Sequence, residues 1–236
     1  MKKTIEVGEA FVRAVPVPQD TETYVAIPHA SVIDTIDRVL MEEAKLKRIG
    51  VKFRSASGGD IIAGTLNYKG VVDSLGLSVA FVNSYNKMRV LKIGCGSVVW
   101  VCENGMLSAE FSVERKHTGY IRNELPMMLS ALAEVAVDEH KKNVVQKDEM
   151  SGIILNDRQR AEYYGRLIFE EDILSPVQCS KLKFELENKQ GKFRGNTLWD
   201  AYNNVTQVLK TTHPMGFLEA HMMLHQITRE SFALTI

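Results

Sequence analysis

Residues 51–68 read Val51-Lys52-Phe53-Arg54-Ser55-Ala56-Ser57-Gly58-Gly59-Asp60-Ile61-Ile62-Ala63-Gly64-Thr65-Leu66-Asn67-Tyr68. Apolar and basic residues alternate over Val51–Arg54. In an extended chain this puts Lys52 and Arg54 on one face, opposite Val51 and Phe53. Ser57-Gly58-Gly59-Asp60 is turn chemistry, and residues 60–68 supply a return strand, so the stretch predicts an antiparallel hairpin.

Working downstream, Leu77, Val79 and Phe81 alternate with Ser78 and Ala80. Residues 88–93 and 97–102 read as two further strands, separated by a tight turn at Gly94-Cys95-Gly96. Val98-Val99-Trp100-Val101 is apolar on both faces, as a central strand would be. Leu107, Ala109, Phe111 and Val113 alternate with polar partners, the pattern of a half-buried strand. The period then changes. Leu125, Met128, Leu129, Leu132, Val135 and Ala136 recur at helical spacing. Helices are expected at 157–170, at 176–188 (from the Ser175-Pro176-Val177-Gln178 capping pattern), at 197–210 and at 215–230, with a flexible basic loop at 189–195. Upstream, residues 31–48 predict a helix capped by Ser31, with Asp34 in its first turn. Residues 1–29 show no period, and Pro16 and Pro18 suggest an extended arm.

The expected architecture is therefore α+β: an N-terminal helix and antiparallel sheet over about 1–119, then a helical half over about 120–236. The whole forms a single domain. The chain has 236 residues, 45% hydrophobic and 25% charged, enough to bury a core without covalent staples. No run approaches the roughly 20 apolar residues needed to cross a bilayer, and Met1-Lys2-Lys3 leads into no apolar signal region, so a cytoplasmic location is expected. Three cysteines without paired spacing argue against a disulfide framework or zinc ribbon.

Catalytic signatures are weak. There is no phosphate-binding GxxxxGK[ST] loop and no GxSxG elbow. His221 and His225 share a helix face, with His213 upstream, but no HExxH glutamate accompanies them. They read as two histidines on a partly exposed helix, not as a metal site. Cys102 and His117 form a nucleophile–base pair only on paper, because apolar strand surrounds the thiol. An enzyme with the histidines or Cys102 at work is the least favoured reading, and no metal or cofactor is expected.

Basic residues carry more. Lys45, Lys47, Arg48, Lys52 and Arg54 fall within ten positions that hold no Asp or Glu. Arg89 and Lys92 lie on another expected strand, and Arg115-Lys116-His117 follows the last one. On neighbouring strands they would line one groove, which phosphates favour because Lys and Arg displace their condensed counterions. Tyr68 and Tyr85 would offer faces for unpaired bases. The opposing reading is an ordinary solvated sheet face, since the formal net charge is zero.

Four segments in order add to this: Val82-Asn83-Ser84-Tyr85-Asn86, Val99-Trp100-Val101-Cys102-Glu103-Asn104-Gly105-Met106-Leu107-Ser108-Ala109, Arg115-Lys116-His117-Thr118-Gly119, and the stretch Asn196-Thr197-Leu198-Trp199 through Asn203 to Thr206. Together they resemble the phage/plasmid-like protein family, which is built around a domain of unknown function. The resemblance covers roughly residues 20–213. Two departures stand out: Asn104 is followed by Gly105-Met106 instead of Thr-Leu, and Lys116 separates Arg115 from His117. The resemblance implies a mobile element, a bacterial host cytoplasm and accessory work in DNA metabolism, and its helix–sheet–helix order is similar to that of single-strand-annealing proteins. The leading expectation is a non-enzymatic protein binding single-stranded nucleic acid through Lys52, Arg54, Arg89, Lys92, Arg115, Lys116 and His117. Self-assembly is compatible with the neutral charge. The alternative is a nucleotide or small-molecule binder that counters a host defence, with Asn83, Asn104 and His117 lining its pocket. Trp199 is expected in the core, and Asn203 and Thr206 are expected to tie helix to sheet.

Overall fold

The computed structural model describes residues 4–72, 75–99, 104–187 and 193–235. Strand β1 (Ile5–Val7) and helix α1 (Glu9–Ala14) precede helix α2 (His29–Asp37), which continues as a π-helical turn over Arg38–Glu43. Then come β2 (Arg48–Ala56), β3 (Ile61–Val72), β4 (Leu75–Ser84), β5 (Leu91–Val99) and β6 (Asn104–Arg115). The helical half follows as α3 (Ile121–Gly152), α4 (Asp157–Gly165, extended by a π-helical turn to Glu170), α5 (Pro176–Glu187), α6 (Leu198–Leu209) and α7 (Pro214–Phe232).

The six strands pair in chain order, every neighbour antiparallel. The expected hairpin of residues 51–68 forms, with Phe53 opposite Gly64 and Arg54 opposite Ala63. Gly58 and Gly59 take positive φ in its turn, which a side chain would oppose. The α+β class and the helical second half are as the sequence predicts.

Three local expectations are corrected. The arm before residue 29 contains β1 and α1, and β1 adds an edge to the sheet. Helix α2 starts at His29 with Pro28 at its cap. Ser31 lies inside it, its carbonyl accepting the Thr35 hydroxyl, while Asp34 pairs with Arg13. Gly94-Cys95-Gly96 is no turn but the middle of β5, with a register shift against β6 at that point. The apolar stripe of residues 125–136 is helical as expected and lies within α3, which runs for 32 residues.

Each sheet face has its own cover. One carries Phe53, Leu66, Tyr68, Leu77, Val79, Phe81, Leu91, Ile93 and Cys95, packed under α2 and the first half of α3 through Ile33, Ile36, Leu125, Leu129 and Leu132. The opposite face carries Ala56, Ile61, Ala63, Ala80 and Val82 beneath Leu218 and Met222 of α7. A separate helical core joins Leu155, Tyr163, Tyr164, Leu198, Tyr202, Val205 and Leu224. Among the described residues, no helix is long and apolar enough to cross a membrane.

Candidate nucleic-acid interface

Strand register brings two of the expected basic residues, Arg54 and Lys92, onto one line. Glu6 pairs with Arg54, Arg54 with Ala63, Ala63 with Val82, Val82 with Lys92, and Lys92 with Glu114. These six residues form one rung across the α7 face, with a carboxylate at each end, a cation inside each carboxylate and two apolar residues in the centre. The cations share a face, as expected, but the centre of that face is filled by α7.

Arg54 is spent inside the protein. Its Nη1 donates to the carbonyls of Lys210 and Thr212, at 2.6 Å each, just past the end of α6. Its guanidinium lies 4.4 Å from the centre of the Phe217 ring. Burial lowers its pKa to about 10, while the charge of Glu6 opposes the shift. Lys92 is 12% exposed, 2.5 Å from Glu114 and 3.7 Å from Glu219. Arg115 is bound to Glu124 at the start of α3 (2.5 Å). Lys52, on the next rung, is exposed beside a shallow groove that also holds Glu6 and Glu9. The continuous open track expected from the sequence is therefore broken: three of its cations hold secondary structure together.

The two motif segments at this end of the sheet form a clamp. Asn83 donates through Nδ2 to the Ile27 carbonyl (2.8 Å) and to His29 Nδ1 (2.9 Å). With Nδ1 accepting, His29 carries its proton on Nε2 and donates to the Gly59 carbonyl (3.0 Å). The His29 ring stacks on Tyr85, whose hydroxyl accepts the His29 amide. Burial holds the His29 pKa down at about 4. Tyr24 donates to the Ser84 carbonyl and stacks on His117, whose own carbonyl accepts the Val25 amide. Segment 20–29 is thus gripped between the ends of β4 and β6. Asn83 and His117 are buried parts of this grip and not the walls of an open pocket. Tyr85 is in the stack, and Tyr68 is fully buried with its hydroxyl on Asp37, so neither presents a face to a base.

What remains open lies on the outside of the same corner. The turn after β4 and the segment after β6 are neighbours, because Leu91 pairs with Arg115. Lys87, Arg89 and Lys116 are exposed there. Among the described residues none of the three makes an ion pair with a carboxylate, and Lys87 sits 5.2 Å from the centre of the Tyr24 ring. His213 lies close by: burial lowers its pKa, and the charges of Arg54 and Arg89 lower it further. Tyr120, at the start of α3, is 77% exposed, and Met88 in the turn is also open. Sequence reading passed over Tyr120. The signal available was an aromatic directly after Arg-Lys-His-Thr-Gly, where a helix start leaves the ring outside the core.

The other expected sites separate. For Asn104 only the backbone, paired with Val99, belongs to the described structure, and Cys102 lies outside the described residues. His221 and His225 are buried and not partly exposed as expected. They make edge contacts with Phe217 and Tyr202. Among the described residues no three His, Cys, Asp or Glu side chains gather around a common point fit for a metal ion. Trp199 is partly buried, stacked on Tyr202 next to the helical core. Asn203 donates to the Trp199 carbonyl and Thr206 to the Asn203 carbonyl, bonds that run along α6. Thr197 and Asp200 form a capping box that starts this helix.

The fold and its clamp define an α+β protein in which separated motif segments hold an N-terminal strap against one end of an antiparallel meander. The chain belongs to the family described as Domain of unknown function (DUF932), which matches residues 20–230. The match begins where the clamped segment begins. No curated protein and no solved structure matches the chain.

Proposed function

We propose that this protein is a non-enzymatic accessory protein of phage- or plasmid-type DNA metabolism, acting in a bacterial cytoplasm and binding single-stranded nucleic acid at the sheet corner. The observation that carries the reading is Lys87, Arg89 and Lys116, exposed and, among the described residues, without a carboxylate ion pair, at the corner from which α3 starts with the exposed ring of Tyr120. Cations that neutralise phosphates beside an aromatic that stacks on a base are the two parts of sequence-tolerant single-strand recognition. The site is smaller than the seven-residue track expected from the sequence. Affinity then depends on several copies acting on one strand, which self-assembly would supply.

Titration of a fluorescent single-stranded oligonucleotide across a salt series tests this. Wild type binds at low salt with a negative log–log slope. Combining Lys87→Gln, Arg89→Gln and Lys116→Gln removes three cations and lowers that slope by about 2. Tyr120→Ala costs about 1–3 kcal/mol with little change in slope. Absence of binding at low salt, or an unchanged slope in the triple variant, overturns the reading.

A further inference from the structure

The inner stripe of α3 changes chemistry partway along. Ile121, Leu125, Leu129, Leu132 and Ala136 are apolar and cover the sheet. The same stripe continues as His140, Asn143 and Gln146, with the buried carboxylate Glu139 beside His140, before returning to apolar Met150. All three polar side chains are buried, Asn143 at 0% exposure. Four of their atoms have no hydrogen-bond partner: His140 Nε2, both amide atoms of Asn143, and Gln146 Oε1. Burying such groups bare costs each its full desolvation, a large draw on the margin that keeps a domain folded.

The neighbouring bonds fix what these atoms offer. Gln146 uses its Nε2 on the Thr235 carbonyl (2.6 Å), leaving Oε1 as an acceptor. The Ser97 hydroxyl lies 2.8 Å from His140 Nδ1. If Ser97 donates, His140 Nε2 carries the proton and is a donor. Asn143 supplies one donor group and one acceptor. With that tautomer the row from His140 to Gln146 runs donor, donor-plus-acceptor, acceptor over about 9 Å of helix. Val144, on an adjoining side, packs with Phe193 and Trp199, so the row faces the junction of sheet and helical half and not solvent.

We infer that His140, Asn143 and Gln146 form an interior binding site for a neutral, planar, hydrogen-bonding small molecule of the nucleobase or nucleoside class. Alternating donors and acceptors along one edge are what such molecules present, and an asparagine amide matches them with two bonds at once. His140 is kept uncharged by burial, so these three side chains bring no cation to hold a phosphate or carboxylate. The inference does not depend on the sheet corner: Ser97 and its α3 partner lie toward the β5–β6 hairpin, whereas the corner is at the opposite end of β5.

The test is thermal melting and calorimetry of the full chain with free adenine, guanine, cytosine and uracil and their nucleosides, accompanied by native mass spectrometry of the purified protein. At least one compound raises the wild-type melting temperature by several degrees at millimolar concentration. Asn143→Leu, close in shape and apolar, abolishes that shift without lowering the ligand-free melting temperature, because it removes a bare amide. The Lys87→Gln, Arg89→Gln, Lys116→Gln variant keeps the shift, which separates this site from the corner. If Asn143→Leu does not fold, Gln146→Leu is read in the same way. No response of wild type to any compound overturns the inference and leaves ordered water as the occupant. A shift that persists in the folded leucine variant overturns it as well.

Discussion

Removing Arg54 discriminates between a guanidinium that binds phosphate and one that binds its own fold. The side chain donates two charge-assisted bonds to the carbonyls of Lys210 and Thr212 and lies over Phe217. Each charged bond contributes about 1.5–3 kcal/mol and the ring contact about 0.5–2 kcal/mol. A cation at the end of α6 gains a further ~0.3–1 kcal/mol. Against this stands the desolvation of a guanidinium whose Nη2 has no partner. The net expectation for Arg54→Ala is a loss of about 3 kcal/mol, read as a lower urea midpoint with an unchanged denaturant slope. Arg54→Lys recovers little of it, since an ammonium does not reproduce the guanidinium fork that reaches both carbonyls while lying over the ring. Oligonucleotide affinity, measured where the variant is folded, keeps its salt slope. A variant with wild-type stability whose salt slope falls by about 1 would refute the reasoning and return Arg54 to the phosphate contacts.

His29 sets an acid limit. Its folded pKa of about 4 lies below the unfolded value near 6.5, so its contribution is complete above pH 6.5 and lost as pH falls toward 4. The loss is at most about 3 kcal/mol, and His29→Gln flattens the stability profile across that interval in pH-dependent urea unfolding. Gly64→Ala places a methyl 2.7 Å from Phe81 Cζ and 2.8 Å from Phe53 Cδ1, between two buried rings. A cost of about 1–3 kcal/mol by chemical denaturation is expected, and a neutral result would show that the rings move freely. Thr197→Ala removes the capping box of α6 and lowers stability by about 1 kcal/mol, whereas Thr197→Ser retains it.

The sheet was legible because its chemistry is local. Lys52 and Arg54 against Val51 and Phe53 fix the pleat, and Ser57–Asp60 fixes the turn. Gly94 and Gly96 misled because glycine in a sequence signals freedom, while here both lie in extended strand backbone where the register shifts against β6. The candidate site was less legible for a different reason. Period reveals which residues share a face, and Arg54 and Lys92 do share one, but not what lands on that face from far along the chain. Nothing near Arg54 announces that the carbonyls of residues 210 and 212 will occupy it. The aromatics reversed for the same reason: Tyr68 and Tyr85 are core residues fixed by Asp37 and His29, while Tyr120 stayed outside.

The strict neighbour order of the strands also shapes how the chain is made. From β2 onward each strand can zip onto the one before it as it leaves the ribosome, with little loop-closure entropy to overcome. The apolar centre of one face must wait, because Leu218 and Met222 follow Val82 by roughly 135 residues or more. At about 5–20 residues per second that is some 7 to 27 seconds of translation with Ala63, Ala80 and Val82 uncovered. During that interval the nascent sheet is a natural client for chaperones, and a ribosome stalled before α7 would release an aggregation-prone half.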